Sequence, residues 1–295
     1  MNREFKDKVF TGFLYCISIF VLILLAFLIG YIIINGIHGL NPKFLFGTSL
    51  FTVDGKGGVG IQLFNSIYIL ILSLLISVPL GIGGGIYLAK YAKKGLFIKI
   101  LRISIEAMAS LPSIVVGLFG LLVFVNKTGW GFTLFSGALV LSILNLPSLV
   151  RVSEDAISTS SKGVEEGSLA LGATKWQTIK KVILPRAIPQ ILTAIILAAG
   201  RIFGEAAALL YTAGMSAPNI SFKVTELFSK NGALNIFRPA ETLSVFIWKT
   251  NSEGMMSNSG KIASGAAAVL IVMVIVFNII AKLIGKKMSR SYEGH

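Results

Sequence analysis

Residues 188–211 read IPQILTAIILAAGRIFGEAAALLY, an apolar stretch interrupted by Arg201 and, four residues later, by Glu205. As a helix, a stretch of this length is long enough to cross a bilayer. A guanidinium near the middle of such a span costs roughly 2.5–3.5 kcal/mol even on a lenient insertion scale, so it is retained only where it faces protein, water or a ligand. Arg201 therefore predicts an anion-binding site within the membrane.

The composition of the whole chain agrees with a membrane location. Of the 295 residues, 54% are hydrophobic and only 14% are charged, whereas soluble domains carry about 25% charged residues. A formal charge of +14 could indicate nucleic-acid binding. The lysines and arginines, however, cluster at the ends of apolar stretches, as membrane topology requires, and no basic face with interleaved aromatic residues is present. The composition therefore predicts an integral membrane protein.

Six stretches reach the length of a membrane span, and each is predicted to be a helix because lipid offers no partners for backbone polar groups. The shortest carries Asn145 and Pro147. The predicted spans are residues 9–34, 63–89, 103–125, 132–150, 188–211 and 262–284. The fold class is therefore an all-α polytopic membrane protein with six transmembrane helices, formed by a single domain over residues 9–284.

The distribution of basic residues predicts the orientation. One set of connections, with both termini, holds eighteen lysines and arginines, and the other set holds eight. The richer side is expected to be cytoplasmic. Residues 1–8 and 285–295 are then cytoplasmic tails, residues 151–187 form the one long internal connection, and residues 35–62 and 212–261 are external.

The internal connection predicts two short helices separated by a turn. Glu165 and Glu166 lie in the first turn of the first helix, where carboxylates interact favourably with the helix dipole. Gly172 suits the turn because glycine tolerates a positive φ. The hairpin could be a surface element that only covers the bundle, or it could be a docking element that transmits force from a soluble partner.

The second helix of this hairpin has a start signal and a stop signal. Thr174 followed by Gln177 predicts a capping box, and Pro185 is expected to end the helix. Pro189 fits the first turn of the next span. Residues at spacings of three and four predict one apolar face: Trp176, Ile179 and Ile183.

The spacing from Glu166 to Gly172, and on to Val182, Leu184 and Pro185, resembles the EAA loop of permease subunits from bacterial ATP-driven (ABC) importers. That signature has Glu-Ala-Ala, three residues, Gly, nine residues, an aliphatic residue, any residue and Leu-Pro. The glycine, the Leu-Pro pair and all spacings are present.

The chain departs from the signature at Gly167 and Ser168, where the family has alanines, and at Val182 in place of isoleucine. By resemblance, the hairpin inserts into a cleft on an ATP-binding subunit. The residues implied to make this contact are Glu165, Glu166, Gly172, Ala173, Trp176, Leu184 and Pro185.

Two further segments resemble phosphate-importer permeases, most closely the A-type subunit, PstA. Residues 106–124, with the Pro-Ser-Ile-Val-x-Gly stretch at 112–117, resemble the third span of that family. Residues 196–214 resemble its fifth span, with Arg and Glu four residues apart and with departures at Phe203 and Ala206.

This resemblance implies the type I ABC-importer permease architecture and a location in the bacterial cytoplasmic membrane. It also implies a second related permease subunit, a dimer of ATP-binding subunits and an extracytoplasmic phosphate-binding protein as partners. ATP and Mg would belong to the ATP-binding subunits, so this chain would need no cofactor and would not be an enzyme.

The residues themselves favour a protonated oxyanion. Arg201 offers a planar donor fork suited to bidentate contact with oxyanions. Glu205, expected on the same helix face, could accept a hydrogen bond from the proton that phosphate carries near neutral pH and sulfate lacks. Alternatively, the two side chains simply neutralise each other, although the basic-before-acidic order is the less favourable one. For Glu106, four residues after Arg102, we expect an interfacial ion pair or helix cap in preference to a pathway role.

Other functions stay open at this point. The same architecture could carry sulfate or molybdate, or the chain could be a passive anion channel. A membrane-embedded enzyme would need several carboxylates, histidines or a metal cluster at one depth, and the spans offer only Arg201, Glu205 and Glu106. The glycine-rich stretch 55–60 lacks the Lys-Ser/Thr pair of a nucleotide-binding loop, and the one at 81–85 is expected to let helices pack closely.

Overall fold

The computed structural model describes residues 3–47, 57–93, 95–253 and 259–293. Within these residues the secondary structure is helical, apart from one isolated bridge between Ser221 and Gly232. The α-helices are α1 Arg3–Gly36, α2 Pro42–Phe46, α3 Gly60–Ile86, α4 Leu96–Ser110, α5 Ser113–Gly120, α6 Leu134–Ser161, α7 Glu165–Ala170, α8 Lys175–Thr178, α9 Leu184–Gly204, α10 Ala207–Leu210, α11 Leu243–Glu253 and α12 Ser259–Glu293. Wider π-helical turns continue α3, α5 and α8 over Tyr87–Tyr91, Leu121–Lys127 and Ile179–Ile183.

Five continuous helical stretches of the described residues are long and apolar enough to cross a membrane, and a bent pair makes a sixth. The five are Asp7–Leu40, Gly60–Tyr91, Leu134–Ser161, Lys175–Gly204 and Ser259–Lys287. The all-α class and the plan of six spans are therefore confirmed. The assignment of sides stays a prediction, and parts of it (residues 1–2, 48–56, 94, 254–258 and 294–295) fall outside the described residues.

The bent pair corrects the prediction of one straight span over residues 103–125. α4 and the helical segment Ser113–Lys127 meet at an angle of 102°. Leu111, between them, has an extended backbone with φ −68° and ψ 134°. Pro112 explains this conformation, because a proline ring disfavours helical geometry in the residue before it.

The shortest predicted span became the most buried one. α6 extends beyond the predicted end at residue 150, and it is 61% buried over its most apolar window. Pro147 lies inside the helix, and the Asn145 side chain donates to the Leu141 carbonyl at 2.8 Å. The helix therefore satisfies its own amide and forms the centre of the bundle.

Glycines and serines bring α3 and α6 into close contact. A Cβ atom on Gly81 would lie 2.7 Å from the Cβ of Leu149, and one on Gly85 would lie 2.4 Å from the Cβ of Ser153. The Ser142 hydroxyl donates to a backbone carbonyl of α3 at 3.0 Å. The expected close packing through the stretch 81–85 is thus confirmed for two of its glycines, whereas Gly83 faces open space.

α9 packs on α6 and α3, and α1 lies at the edge of the bundle. Ile202 and Phe203 of α9 belong to the main apolar core. α1 has none of its most apolar window buried. It approaches α12 closely at Gly36, and the 3-10 turn that follows α1 does so at Gly39. A large face of α1 is therefore left for lipid or another chain.

Residues 212–253, which we call the cap segment, fold onto the start of α3. Glu241 accepts from the Gln62 side chain at 2.9 Å, and its backbone carbonyl accepts from the Asn65 side chain at 3.0 Å. The Leu243 N–H donates to the Ser66 hydroxyl at 2.9 Å. The sequence left the role of this external connection open, and the structure shows that it is fastened to the bundle by buried polar contacts.

Arg238 lies within the cap segment and is only 2% exposed. Its guanidinium donates to the Asn65 side-chain oxygen at 2.8 Å and to the Ala233 carbonyl at 3.2 Å. Burial lowers the pKa of Arg238 to about 10, because removal from water disfavours the charged form. The group therefore still carries its charge at neutral pH, and the cap segment holds a buried cation.

We predict that Gly85→Ala weakens the α3–α6 contact by about 1–3 kcal/mol, because the new methyl group would overlap Ser153. Gly83→Ala is the matched control, since nothing lies within 4 Å of the Cβ it would add. The measurement is the midpoint of thermal unfolding in mild detergent. Equal midpoints for the two variants would contradict the packing assigned to this seam.

Candidate functional site

Arg201 lies in the last turn of α9, on a face that the rest of the chain leaves exposed. Exposed residues recur along this face at spacings of three and four: Arg186, Gln190, Thr193, Leu197 and Arg201. Within the described residues, no hydrogen bond or ion pair engages the Arg201 side chain. The single chain thus presents an unpaired guanidinium on the open side of a membrane-spanning helix.

Glu205 does not share a helix face with Arg201, so that prediction is wrong. α9 ends at Gly204, and Glu205 has an extended backbone with φ −73° and ψ 122°. The predicted span over residues 188–211 is therefore broken before the short α10. Gly204 lowers the helix propensity at the break. The Glu205 carbonyl accepts a hydrogen bond from the Ser244 hydroxyl at 2.6 Å and not from a backbone N–H of the next helical turn.

The carboxylate of Glu205 is held at the start of α10. Its Oε1 atom accepts from the Ala208 N–H at 3.2 Å, while no contact within the described residues engages Oε2 or joins Glu205 to Arg201. α10 rests against Gly117 of α5, where an added Cβ would lie 2.7 Å from the Cα of Ala208. The two segments at 106–124 and 196–214 therefore meet next to Glu205, which keeps one oxygen available.

Neither the interfacial ion pair nor the helix cap expected at Glu106 is formed among the described residues, where Glu106 lies inside α4. Arg102 forms an ion pair with Glu154 of α6, and Glu106 is exposed. Both line a small cavity of about 140 Å³ with Arg151, Glu154 and Asp155. Among the described residues, no group of three or more His, Cys, Asp or Glu side chains is arranged to hold a metal ion.

The predicted hairpin between α6 and α9 is confirmed in its first part. α7 begins with Glu165 and Glu166, and Gly172 has φ +83°. The Thr174 hydroxyl accepts from the Gln177 N–H, and the Gln177 side chain accepts from the Thr174 N–H, which forms the expected capping box.

Pro185 does not end the second helix, contrary to the prediction. Helical structure continues from Lys175 to Gly204 as one stretch of 30 residues. The π-helical turn Ile179–Ile183 precedes the proline, and a wider turn accommodates a ring that lacks an N–H and would otherwise clash with the preceding turn. Pro189 also lies inside α9 and not in the first turn of a separate span.

The predicted apolar face of the hairpin is divided between two environments. Ile179 and Ile183 are buried in a cluster with α6 and α9. Trp176 is 55% exposed and Leu171 is 91% exposed. The hairpin thus exposes apolar side chains at Leu171 and Trp176 beside charged ones such as Glu166, as a surface that docks another protein would.

The hairpin is anchored to the end of α3. Lys90 forms an ion pair with Glu165 at 2.6 Å, and the Lys175 ammonium lies 4.8 Å from the centre of the Tyr91 ring. Glu165 is therefore engaged within the chain, whereas Glu166 is exposed. Of the other residues implied to contact an ATP-binding subunit, Gly172 and Trp176 are exposed, and three are partly buried: Ala173, Leu184 and Pro185.

Sequence reasoning missed Ser244 and the buried polar groups of the cap segment. The only local signal was the polar run Gln62, Asn65 and Ser66 at the start of an apolar span. Polar residues on one side of a membrane helix indicate a protein-facing side, but their partners lie more than 170 positions away in the sequence.

Comparisons with known proteins identify relatives of the chain. Residues 81–292 match the family described as "Binding-protein-dependent transport system inner membrane component". The "Probable ABC transporter permease protein YqgI" of Bacillus subtilis is 50% identical over 286 residues, which cover 97% of each chain. The "Phosphate transport system permease protein PstA" of Haemophilus influenzae is 30% identical over 285 residues, which cover 95% of this chain and 94% of the relative.

A solved structure confirms the fold. A bacterial alginate ABC transporter, in complex with alginate pentasaccharide-bound periplasmic protein, matches with a TM-score of 0.67 and 18% identity over 97% of this chain and 96% of its own. The predicted ABC-importer permease architecture is thus confirmed. The resemblance to ABC-importer permeases is confirmed as well, whereas PstA is the more distant of the two relatives.

We predict that reversing either charge of the Lys90–Glu165 pair loosens the hairpin. The pair is a short charge-assisted contact. Lys90→Glu alone should therefore raise the population of molecules in which the hairpin has detached from the end of α3 about tenfold. The double reversal with Glu165→Lys should bring that population most of the way back. The measurement is the rate of chymotrypsin cleavage at Trp176. Glu166→Lys, at the neighbouring exposed position, should leave the rate unchanged. Failure of the double reversal to slow cleavage would contradict the pairing.

Proposed function

Because this chain belongs to the family of binding-protein-dependent transport system inner membrane components, we propose that inorganic phosphate is the solute it carries. The chain is a multi-pass inner-membrane permease subunit of an ABC importer, it is not catalytic, and such importers include ATPase subunits and a periplasmic binding protein. The phosphate assignment is supported by the Haemophilus influenzae relative, whose name states phosphate transport.

The observation that carries the proposal is the unpaired guanidinium of Arg201 on the exposed face of α9. In the structure Arg201 lies in the last turn of α9 and not near the middle of the span. A guanidinium on a membrane-spanning helix is nevertheless favoured where it faces protein, water or a ligand and not lipid. We place the same face of a second, related permease subunit opposite it, so that the two faces enclose the path. A planar guanidinium then supplies two parallel donors to the oxygens of a passing oxyanion.

Glu205 gives a reason to favour phosphate over fully ionised oxyanions. One carboxylate oxygen caps α10, and the other has no partner within the described residues. A free carboxylate oxygen accepts a hydrogen bond from the hydroxyl group that phosphate retains, whereas it repels an anion with no proton to donate. Sulfate and molybdate remain the alternative substrates of the same architecture, and competition for uptake separates them from phosphate.

The hairpin provides the proposed link to ATP hydrolysis. An ATP-binding subunit docks on its exposed outer surface, which includes Glu166, Leu171 and Trp176. Because helical structure is continuous from Lys175 to Gly204, a displacement of the hairpin reaches Arg201 through one element. Alternating access then follows from rocking of this helix, and ATP and Mg act on the partner subunits. A passive channel would not need this connection, and uptake that persists without ATPase partners would favour that alternative.

We predict that Arg201→Lys lowers phosphate uptake about tenfold or more, because an ammonium loses the second parallel hydrogen bond. Glu205→Gln should lower uptake too, because the amide presents donors where an acceptor is needed. The measurement is the initial rate of labelled phosphate uptake by proteoliposomes that contain the whole importer. Arg151→Lys, at an exposed site on α6, is the control and should transport at the normal rate.

Two results would contradict the proposal. Normal uptake by both the Arg201 and Glu205 variants would remove this pair from the path. If sulfate inhibited the uptake of labelled phosphate as strongly as the same concentration of unlabelled phosphate, the path would be assigned to oxyanions in general.

A further inference from the structure

The break in the fifth span is held by a residue of another helix. Ser244 lies in the first turn of α11, and it is 7% exposed. Its hydroxyl donates to the backbone carbonyl of Glu205 at 2.6 Å and lies 3.0 Å from the Thr242 hydroxyl. The contact joins positions 39 residues apart in the chain, so it is a tertiary contact and not a local turn.

The polar groups of Glu205 are almost fully engaged by the protein. Its N–H donates to the Ile202 carbonyl at 3.3 Å, its carbonyl accepts from Ser244, and its Oε1 atom accepts from the Ala208 N–H. Within the described residues, Oε2 alone has no contact. These three contacts together determine where that free oxygen points.

The residues next to Ser244 are bonded to α3. The neighbouring Leu243 N–H donates to the Ser66 hydroxyl of α3 at 2.9 Å. Glu241, three residues before Ser244, contacts the side chains of Gln62 and Asn65. The hydroxyl that reaches Glu205 therefore belongs to a segment that is fastened to a different span.

We infer that Ser244 is a positioning residue for transport: it holds the carbonyl of Glu205 outside the helical ladder and thereby directs the free carboxylate oxygen toward the passing oxyanion. This inference rests on the phosphate transport proposed above. Without the hydroxyl, the Glu205 carbonyl loses its buried donor, and the backbone relaxes toward the helix that the alanines at 206, 207 and 208 favour. The carboxylate then turns away from the position at which it accepts a hydrogen bond from the protonated oxyanion.

The test is a double-mutant cycle in the complete importer, reconstituted in proteoliposomes with its binding protein and ATPase subunits. The variants are Ser244→Ala, Ser244→Thr, Glu205→Gln and the Ser244→Ala, Glu205→Gln pair. Ser77→Ala is the matched control, because Ser77 is also buried and, among the described residues, its hydroxyl bonds only within its own helix, to the Ser73 carbonyl at 2.8 Å. The readout is the initial rate of labelled phosphate uptake per assembled complex.

We expect Ser244→Ala to lower the rate about tenfold, the change that corresponds to one hydrogen bond of ordinary strength. Ser244→Thr retains the hydroxyl and should keep at least about half of the rate, and Ser77→Ala should stay within about twofold of the unmodified importer. In the Glu205→Gln background, Ser244→Ala should change the rate by less than about twofold, because a residue that acts through Glu205 has no effect once the carboxylate is gone.

The outcomes separate the two proposals. Absence of phosphate uptake by the unmodified importer, or a normal rate with Glu205→Gln, would refute the proposed function and this inference with it. A low Glu205→Gln rate beside a normal Ser244→Ala rate would leave the function standing and overturn the role of Ser244. The same holds if Ser244→Ala slows both backgrounds equally, or if Ser244→Thr fails to restore transport.

Discussion

Contact at backbone distance between α3 and α6 is the constraint on which the rest of the structure depends. It requires glycine at positions 81 and 85, because any side chain there would overlap α6. α6 then supports α9, which carries Arg201, and α3 supports the cap segment, which carries Ser244. The positions of Arg201 and Ser244 therefore both depend on one contact between small residues of α3 and α6. Membrane helices rely on such packing because lipid removes most of the hydrophobic drive to associate.

The site itself combines two features that are unfavourable in a bilayer. An unpaired guanidinium lies on an open helix face, and the helix that carries it is broken within the same turn. Irregular backbone at membrane depth is tolerated where protein or a cavity satisfies it. Here Ser244 and the carboxylate of Glu205 provide the partners. The unpaired guanidinium and the helix break both cost stability, and they leave the charged groups of Arg201 and Glu205 free to contact a solute.

Elements set by local chemistry could be predicted from the sequence, and elements set by distant contacts could not. Hydropathy located the spans, and the spacing of Thr174 and Gln177 was sufficient for the capping box. Hydropathy does not report the direction of a helix axis, however. The bend at Pro112 was therefore not predicted, although the proline is present in the sequence. The hydroxyl that contacts the residue after α9 comes from 39 positions away in the sequence, and Glu165 pairs with Lys90 from 75 positions away. No periodicity within the fifth span or the hairpin contains that information.

The polar contacts at the start of α3 bear on how the protein is made. The partners of Gln62, Asn65 and Ser66 follow them by 176 to 179 positions. During synthesis these groups must wait in the membrane for more than half of the chain to emerge. An unsatisfied amide in hydrocarbon is costly. Water or the insertion machinery must therefore supply hydrogen-bond partners for these side chains until residue 243 has been synthesised. Folding of this subunit is therefore completed late, when the cap segment closes over the first polar turn of α3.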